Sequence, residues 1–200
     1  DSRLQEILLS EDLEEREKKL RILALGENVL PALRKKLWCP DHGVQRVCLP
    51  VLLAMAPDTT HNDILLSIYD KTPEIRKLAI KVSSTMKIPA SAEHIARVAK
   101  TEGDFAVFQE IINSAFSLEA PILADVLITR AKKKGCFLRE KAILAAASCG
   151  GGSLLPVIKS ILQNTENQKG QTLLRASAVR AIGLVSGGEK ELPFILEVLK

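Results

Sequence analysis

The sequence predicts an all-α protein, and three observations carry that prediction. Apolar residues recur at the three- and four-residue spacing of one helix face in almost every segment of the 200-residue chain. No segment alternates apolar and polar residues for long enough to read as a half-buried strand. Apolar residues make up 46% of the chain and aromatics 4%, and a core of Leu, Ile, Val and Ala with few rings suits packed helices better than stacked sheets.

Taken in order, the first helix is expected over 12–25, DLEEREKKLRILAL, with Leu13, Leu20, Leu23 and Ala24 on its apolar side. Ser10 or Asp12 would cap its start and Gly26 would end it. The second, 28–38, takes Asn28 as its cap and carries Pro31 in its first turn, where proline's missing N–H costs nothing. The turn CPDHG at 39–43 leads to a helix over 44–56 with Pro50 inside it, a position expected to kink the chain. Nine further helices follow over 60–70, 73–87, 91–101, 104–117, 120–133, 137–148, 153–163, 171–186 and 189–200. Glycine or proline punctuates each junction, from Thr72–Pro73 to Gly187–Gly188. No linker or low-complexity tract interrupts them, so 1–200 reads as one continuous domain.

The helices pair. Aligning the second helix of each pair on Arg46, Arg76, Phe108, Arg139 and Arg175 leaves gaps of 30, 32, 31 and 36 residues. Three residues on stand Leu49, Ala79, Ile111, Ala142 and Ala178. Seven on stand Leu53, Ser83, Ala115, Ala146 and Ile182. The first helices align on VLPAL (29–33), NDILL (62–66), AEHIA (92–96), EAPIL (119–123), LLPVI (154–158) and ELPFI (191–195). Pro31, Pro121, Pro156 and Pro193 fall early in four of them. A two-helix unit with this period cannot bury its apolar faces alone and is stable when stacked on neighbours.

The units TPEIRKLAIKVSSTMK, GCFLREKAILAAASCGG and LLRASAVRAIGLVSGGEKELPFILEVL resemble HEAT repeats, and the last resembles the phycobilisome-lyase-like subgroup of that family. The resemblance implies a right-handed α-α superhelical solenoid of about six HEAT-like helical hairpins. It also implies an Asp six residues before the aligned Arg, forming a ladder between repeats. Asp70 and Arg76 match that spacing, whereas Phe108 stands where the middle repeat would carry Arg. Phe105, Phe108 and Phe116 are expected to fill the gap there, at least two of them buried.

Composition excludes little. The net charge of +4 is too small to imply nucleic acid by itself. No apolar run reaches about 18 residues, so no membrane span is expected. Cys39, Cys48, Cys136 and Cys149 lack the dense spacing of a disulfide framework and read as small buried hydrophobes in a reducing, cytoplasmic setting. Cys39, His42 and Cys48 do not complete a four-ligand zinc set. His42, His61 and His94 fall in different repeats. The CGGGS run at 149–153 reads as a turn rather than a phosphate loop, because no lysine follows at the required spacing. Lys132–Lys134 and Arg34–Lys36 end helices, where cations are favoured. No catalytic residue, metal site or cofactor is expected.

The function expected is therefore a non-catalytic scaffold that binds a protein or peptide on the concave face lined by the second helices. Positions one and five after the aligned residue should point outward there. They include Val47 and Val51, Lys77 and Lys81, Gln109 and Asn113, Glu140 and Leu144, and Ala176 and Arg180. The candidate partner-binding residues are Val51, Lys77, Lys81, Gln109, Asn113, Glu140, Leu144 and Arg180. There are two alternatives. A tetrapyrrole-attaching lyase is implied only by the resemblance of 173–200, and a nucleic-acid-binding module is suggested by the pI of about 8.9 and the lysine clusters. Finally, Asp1 is not an initiator Met, and 189–200 reads as a first helix without its second. The stretch is thus expected to be a segment of a longer protein, with end-to-end contact possible through Leu192, Ile195, Leu196 and Leu199.

Overall fold

The computed structural model describes residues 2–133, 136–165, 171–187 and 189–198. Among them every regular element is helical. The α-helices are α1 (Ser2–Leu9), α2 (Glu15–Leu23), α3 (Leu30–Lys36), α4 (His42–Met55), α5 (Pro57–Ser67), α6 (Pro73–Thr85), α7 (Ser91–Ala99), α8 (Phe105–Leu118), α9 (Pro121–Lys132), α10 (Arg139–Gly150), α11 (Leu155–Gln163), α12 (Thr172–Ser186) and α13 (Leu192–Val198). Short 3-10 turns at Glu27–Val29, Gly151–Leu154 and Glu189–Glu191 lead into α3, α11 and α13. Each of those three helices opens Leu-Pro, so the proline sits in the first turn with its fixed φ already helical. The chain folds as two compact units, residues 1–64 and 65–200, with the boundary inside α5.

In the first unit α1 packs on α2, and α2 and α3 pack on α4. Helix α1 was not anticipated, although Leu4 and Leu8, one turn apart, are its buried residues. The expected apolar side of α2 is corrected. Leu20 and Leu23 are 59% and 38% exposed, and Ile22 is the residue fully buried. The rest of α2 is charged and paired along its own surface, Lys19 on Glu15 and Arg21 on Glu17. Neither Ser10 nor Asp12 caps α2, which starts after Glu14 without a side-chain bond. Asn28 lies inside a 3-10 turn rather than capping α3. The cap that does form is Asp41, whose carboxylate accepts from Gly43 N at 2.7 Å and Val44 N at 3.3 Å.

In the second unit α6 packs on α8, α8 on α10 and α10 on α12, while α7 packs on α9. The second helices thus form one row, and α7 and α9 lie in another. The aligned positions match the observed burial once the first anchor moves by one residue. Arg46 is exposed and makes none of the contacts of the later arginines. Its neighbour Gln45 donates from Nε2 to Cys39 O at 2.6 Å, six residues back, as Arg76 donates from Nη1 to Asp70 O at 2.8 Å. Anchored on Gln45, positions three and seven become Cys48 and Leu52, Ala79 and Ser83, Ile111 and Ala115, Ala142 and Ala146, and Ala178 and Ile182. All ten are 0% exposed. One residue is a 100° rotation of a helix, which is why Leu49 and Leu53, taken as core from the sequence, are only half-buried.

The anchor arginines share a physical task. Each guanidinium satisfies carbonyls left free where another helix ends. Arg76 donates to Asp70 O and Lys71 O after α5, Arg139 to Ala131 O near the end of α9, and Arg175 to Val198 O at the end of α13. A cation at a helix C-terminus also meets the negative end of the macrodipole. The carboxylate partner expected for Arg76 is corrected. Asp70 turns its side chain to Thr72 N at 2.8 Å. Arg76 instead forks onto Glu102, Nε to Oε2 at 2.9 Å and Nη2 to Oε1 at 3.0 Å. Glu102 is 6% exposed and also accepts from Asp104 N. Its burial pushes the carboxyl pKa up. The Arg76 bonds, the Asp104 and Gly103 N–H groups and the Arg76 charge outweigh that, and the pKa lies below the ordinary value.

The middle repeat solves the missing arginine from another helix. Phe108 is fully buried. Arg130 on α9 stacks over its ring at 4.7 Å and donates to Glu102 O at 2.8 Å and Lys100 O at 3.3 Å, the carbonyls that follow α7. Phe137 meets the Phe108 ring edge-on at 5.4 Å. Phe105 and Phe116, however, are 56% and 47% exposed, so one of the three phenylalanines is buried, not two.

One further expectation changes. The glycine run at 149–153 is not merely a loose turn. A Cβ on Gly150 would lie 2.5 Å from Leu154 Cδ1 and 2.7 Å from Ala124 Cβ, so glycine there lets α9 and the Gly151–Leu154 turn close on α10. The helical run Arg139–Gln163 is long and apolar enough to cross a membrane by length and composition alone, a test that buried core helices also pass. It is broken by Gly151 at φ +58°, and its α10 and α11 portions pack on α9 and α12, as core helices do.

Candidate functional site

The outer face of the second helices follows from the register of their buried positions. With positions three and seven turned inward, positions one and five face roughly the opposite way at 100° per residue. Lys77 and Lys81 on α6 are exposed, as is Asn113 on α8, with Gln109 half-buried beside it. Glu140 and Leu144 on α10 are half-buried, and Ala176 and Arg180 on α12 are exposed. Val51 is corrected. It is 1% exposed and Val47 is 3% exposed, because the one-residue shift turns both into the core of the first unit. Arg46 and Pro50 take the outward positions on α4.

The structure brings part of this set together. Gln109 Nε2 donates to Asn113 Oδ1 at 3.1 Å, and Lys141 Nζ on α10 donates to Gln109 Oε1 at 2.9 Å. Lys141 was missed in the sequence. So were the large apolar groups of the same face. Phe105 and Phe116 lie one turn before Gln109 and two turns after it on α8. Leu173 and Leu184 bracket Arg180 on α12 and are 73% and 62% exposed. The sequence signal was available, since a residue seven before or after an outward position shares its face. The face therefore alternates exposed apolar groups with the cations Lys77, Lys81 and Arg180.

The remaining candidates stay apart. Among the described residues no group of three or more His, Cys, Asp or Glu could hold a metal ion. His61 is half-buried; His94, also half-buried, tilts against the Tyr69 ring at 5.6 Å. All four thiols are free, with Cys48 and Cys149 buried and Cys39 and Cys136 partly exposed. Burial, reinforced by nearby Cys39 and opposed by Lys36, pushes the Cys48 thiol up to about 11. Burial likewise pushes Cys149 to about 11. Neither is a thiolate nucleophile at neutral pH. Arg34 pairs with Asp63 at 3.3 Å, and Trp38 is half-buried. Lys132 and Lys133 are exposed at the end of α9; Lys134 lies outside the described residues.

On α13 the stripe divides. Ile195 packs inward together with Val198, while Leu192 and Leu196 are 53% and 55% exposed; Leu199 lies outside the described residues. A concavity lies in the other row, between α7 and α9, with a volume of about 550 Å³. The sequence matches no protein-family model, and no curated protein is significantly similar to it.

Proposed function

We propose that the chain is a HEAT-like repeat protein, its hairpins stacked in a right-handed α-α superhelix, that serves as a non-catalytic scaffold. It binds a protein partner on the face formed by α6, α8, α10 and α12, which in this reading is the concave one. The observation that carries the proposal is the set of exposed large apolar side chains on that face: Phe105, which also tilts against the Phe137 ring at 5.6 Å, Phe116, Leu173 and Leu184. The aligned positions three and seven are all 0% exposed, so these four stand apart from a fully buried stripe. Exposed apolar groups gathered on one surface mark interaction sites, and aromatic anchors ringed by polar groups are the usual composition of a binding patch. Lys77, Lys81 and Arg180 favour a partner whose matching surface is acidic. Gln109, Asn113, Glu140 and Leu144 supply the contacts between these anchors.

The test is capture with the tagged full chain from an extract of the cells that make it, read by quantitative mass spectrometry. Lys81→Glu with Leu144→Glu changes charge and bulk at the centre of the face without touching a fully buried position. Arg3→Glu with Arg16→Glu makes a comparable charge change on the exposed surface of α1 and α2. The expected result is that proteins captured by the unaltered chain are lost with the first variant and kept with the second. Equal capture by both variants would dispose of the proposal.

A further inference from the structure

The groove between α7 and α9 has its own chemistry, separate from the face just described. Its floor is Ala96, Ile122 and Val126, of which Ile122 is 44% exposed. Its rim carries four cations, Arg97, Lys100, Arg130 and Lys133, against two carboxylates, Glu93 and Asp125. The charges are segregated. Glu93 lies in the first turn of α7 and Asp125 in the first half of α9, whereas Lys100 and Lys133 directly follow the last residues of the two helices. Arg97, Lys100 and Lys133 form no ion pair with any described residue.

Cations at helix ends are favoured by the macrodipole alone, and that accounts for where Lys100 and Lys133 stand. It does not account for Ile122, left 44% exposed beside the buried Ala96 and Val126. A small inorganic anion would meet Arg97, Lys100 and Lys133 but leave Ile122 uncovered. A nucleic acid strand is poorly served too. No aromatic ring lines the groove for a base to stack on. What matches an apolar floor and a cationic end is a segment with apolar anchors next to carboxylates, the helix-in-groove mode of peptide recognition. The volume is also in the range of sites that enclose a few side chains.

We propose that the α7–α9 groove docks an acidic peptide segment of another protein, its apolar side chains on Ile122 and Val126 and its carboxylates on Arg97, Lys100 and Lys133. This site works independently of the α6–α8–α10–α12 face, so the chain can hold two partners or two parts of one.

The test is selection of random displayed peptides on the full chain, followed by fluorescence anisotropy with the enriched sequences. Three proteins are compared: the unaltered chain, Lys100→Glu with Lys133→Glu, and Lys81→Glu with Leu144→Glu. The substituted positions are exposed or half-buried, and circular dichroism checks that each variant keeps its helix content. The expected result is a set of net-acidic peptides with apolar anchors. Their affinity should fall about tenfold or more in the groove variant, as the loss of two charge contacts implies. It should fall with added salt and be unchanged in the face variant. Enriched peptides that are neutral or basic, or that bind the groove variant equally well, overturn the proposal. So does groove-dependent binding of a labelled single-stranded oligonucleotide with no groove-dependent peptide. Loss only in the face variant would leave the scaffold reading standing and remove this one.

Discussion

Arg130 does the work that an arginine at the Phe108 position would do, and its removal measures what that substitution is worth. In Arg130→Met the carbonyls of Lys100 and Glu102 lose a charged donor. The bond to Glu102 O is 2.8 Å and the one to Lys100 O, at 3.3 Å, is weaker. One strong charge-assisted bond at a half-buried site is worth about 1.5–3 kcal/mol, and guanidinium–ring stacking adds about 0.5–1 kcal/mol. The expected loss is therefore about 2–4 kcal/mol in urea unfolding followed by circular dichroism. Phe108→Leu removes the ring from a fully buried site and is expected to cost less than the 3–5 kcal/mol typical of Phe→Ala. In the double variant the stacking term is lost once, not twice. The combined loss should thus fall short of the sum by about 0.5–1 kcal/mol. Strict additivity would mean that the guanidinium does not rest on the ring. A loss near zero for Arg130→Met would mean that the α7–α8 connection is not held by it at all.

Three other outcomes follow from the same geometry. Glu102 is held below its ordinary pKa, so its contribution is present above the ordinary value and is lost as pH falls through the folded-state value. Glu102→Gln should therefore cost about 2–4 kcal/mol at neutral pH. In acid titrations of unfolding that difference should shrink as pH falls below the ordinary carboxylate value and close below the lower folded-state value. Gly150→Ala should destabilise by about 1–3 kcal/mol in thermal melts, because Leu154 can swing aside but the Ala124 methyl cannot. In the native protein, Cys39 and Cys136 should react with a disulfide reagent well before Cys48 and Cys149; four equal rates would show that the buried pair is not buried.

Much of the fold was legible because helix punctuation is local. Glycine and proline at Gly26, Thr72–Pro73, Ile88–Pro89, Gly103 and Gly187 mark junctions by backbone sterics alone, and the helices predicted from 60 onward lie within a few residues of those observed. Register was harder, since it depends on which of two adjacent polar residues reaches a distant carbonyl. Arg46 and Gln45 both suit a helix surface, and only the bond from Gln45 to Cys39 O tells them apart. That single choice turned Val51 from a surface candidate into core. Likewise Glu102 could not be identified as Arg76's partner from spacing, because the pair lies 26 residues apart. Phe105 and Phe116 were assigned to the core on hydrophobicity. Hydrophobicity alone does not say which face a side chain takes; their spacing of four and seven residues from Gln109 places both on its side of the helix. The outward positions from Lys77 to Arg180 were readable because they needed only the period within each helix and an anchor already correct in the second unit.

The measurement that bears most directly on the proposed binding face is hydroxyl-radical footprinting of the full chain, purified alone and again in an extract of the cells that make it. Oxidation at Phe105, Phe116, Leu144 and Leu184 is predicted to fall in the extract. Leu20 and Leu23, exposed on α2 and outside the face, should oxidise equally in both. Equal oxidation of both sets under the two conditions, or protection confined to α2, would contradict the assignment of the α6–α8–α10–α12 face as the place where a partner binds.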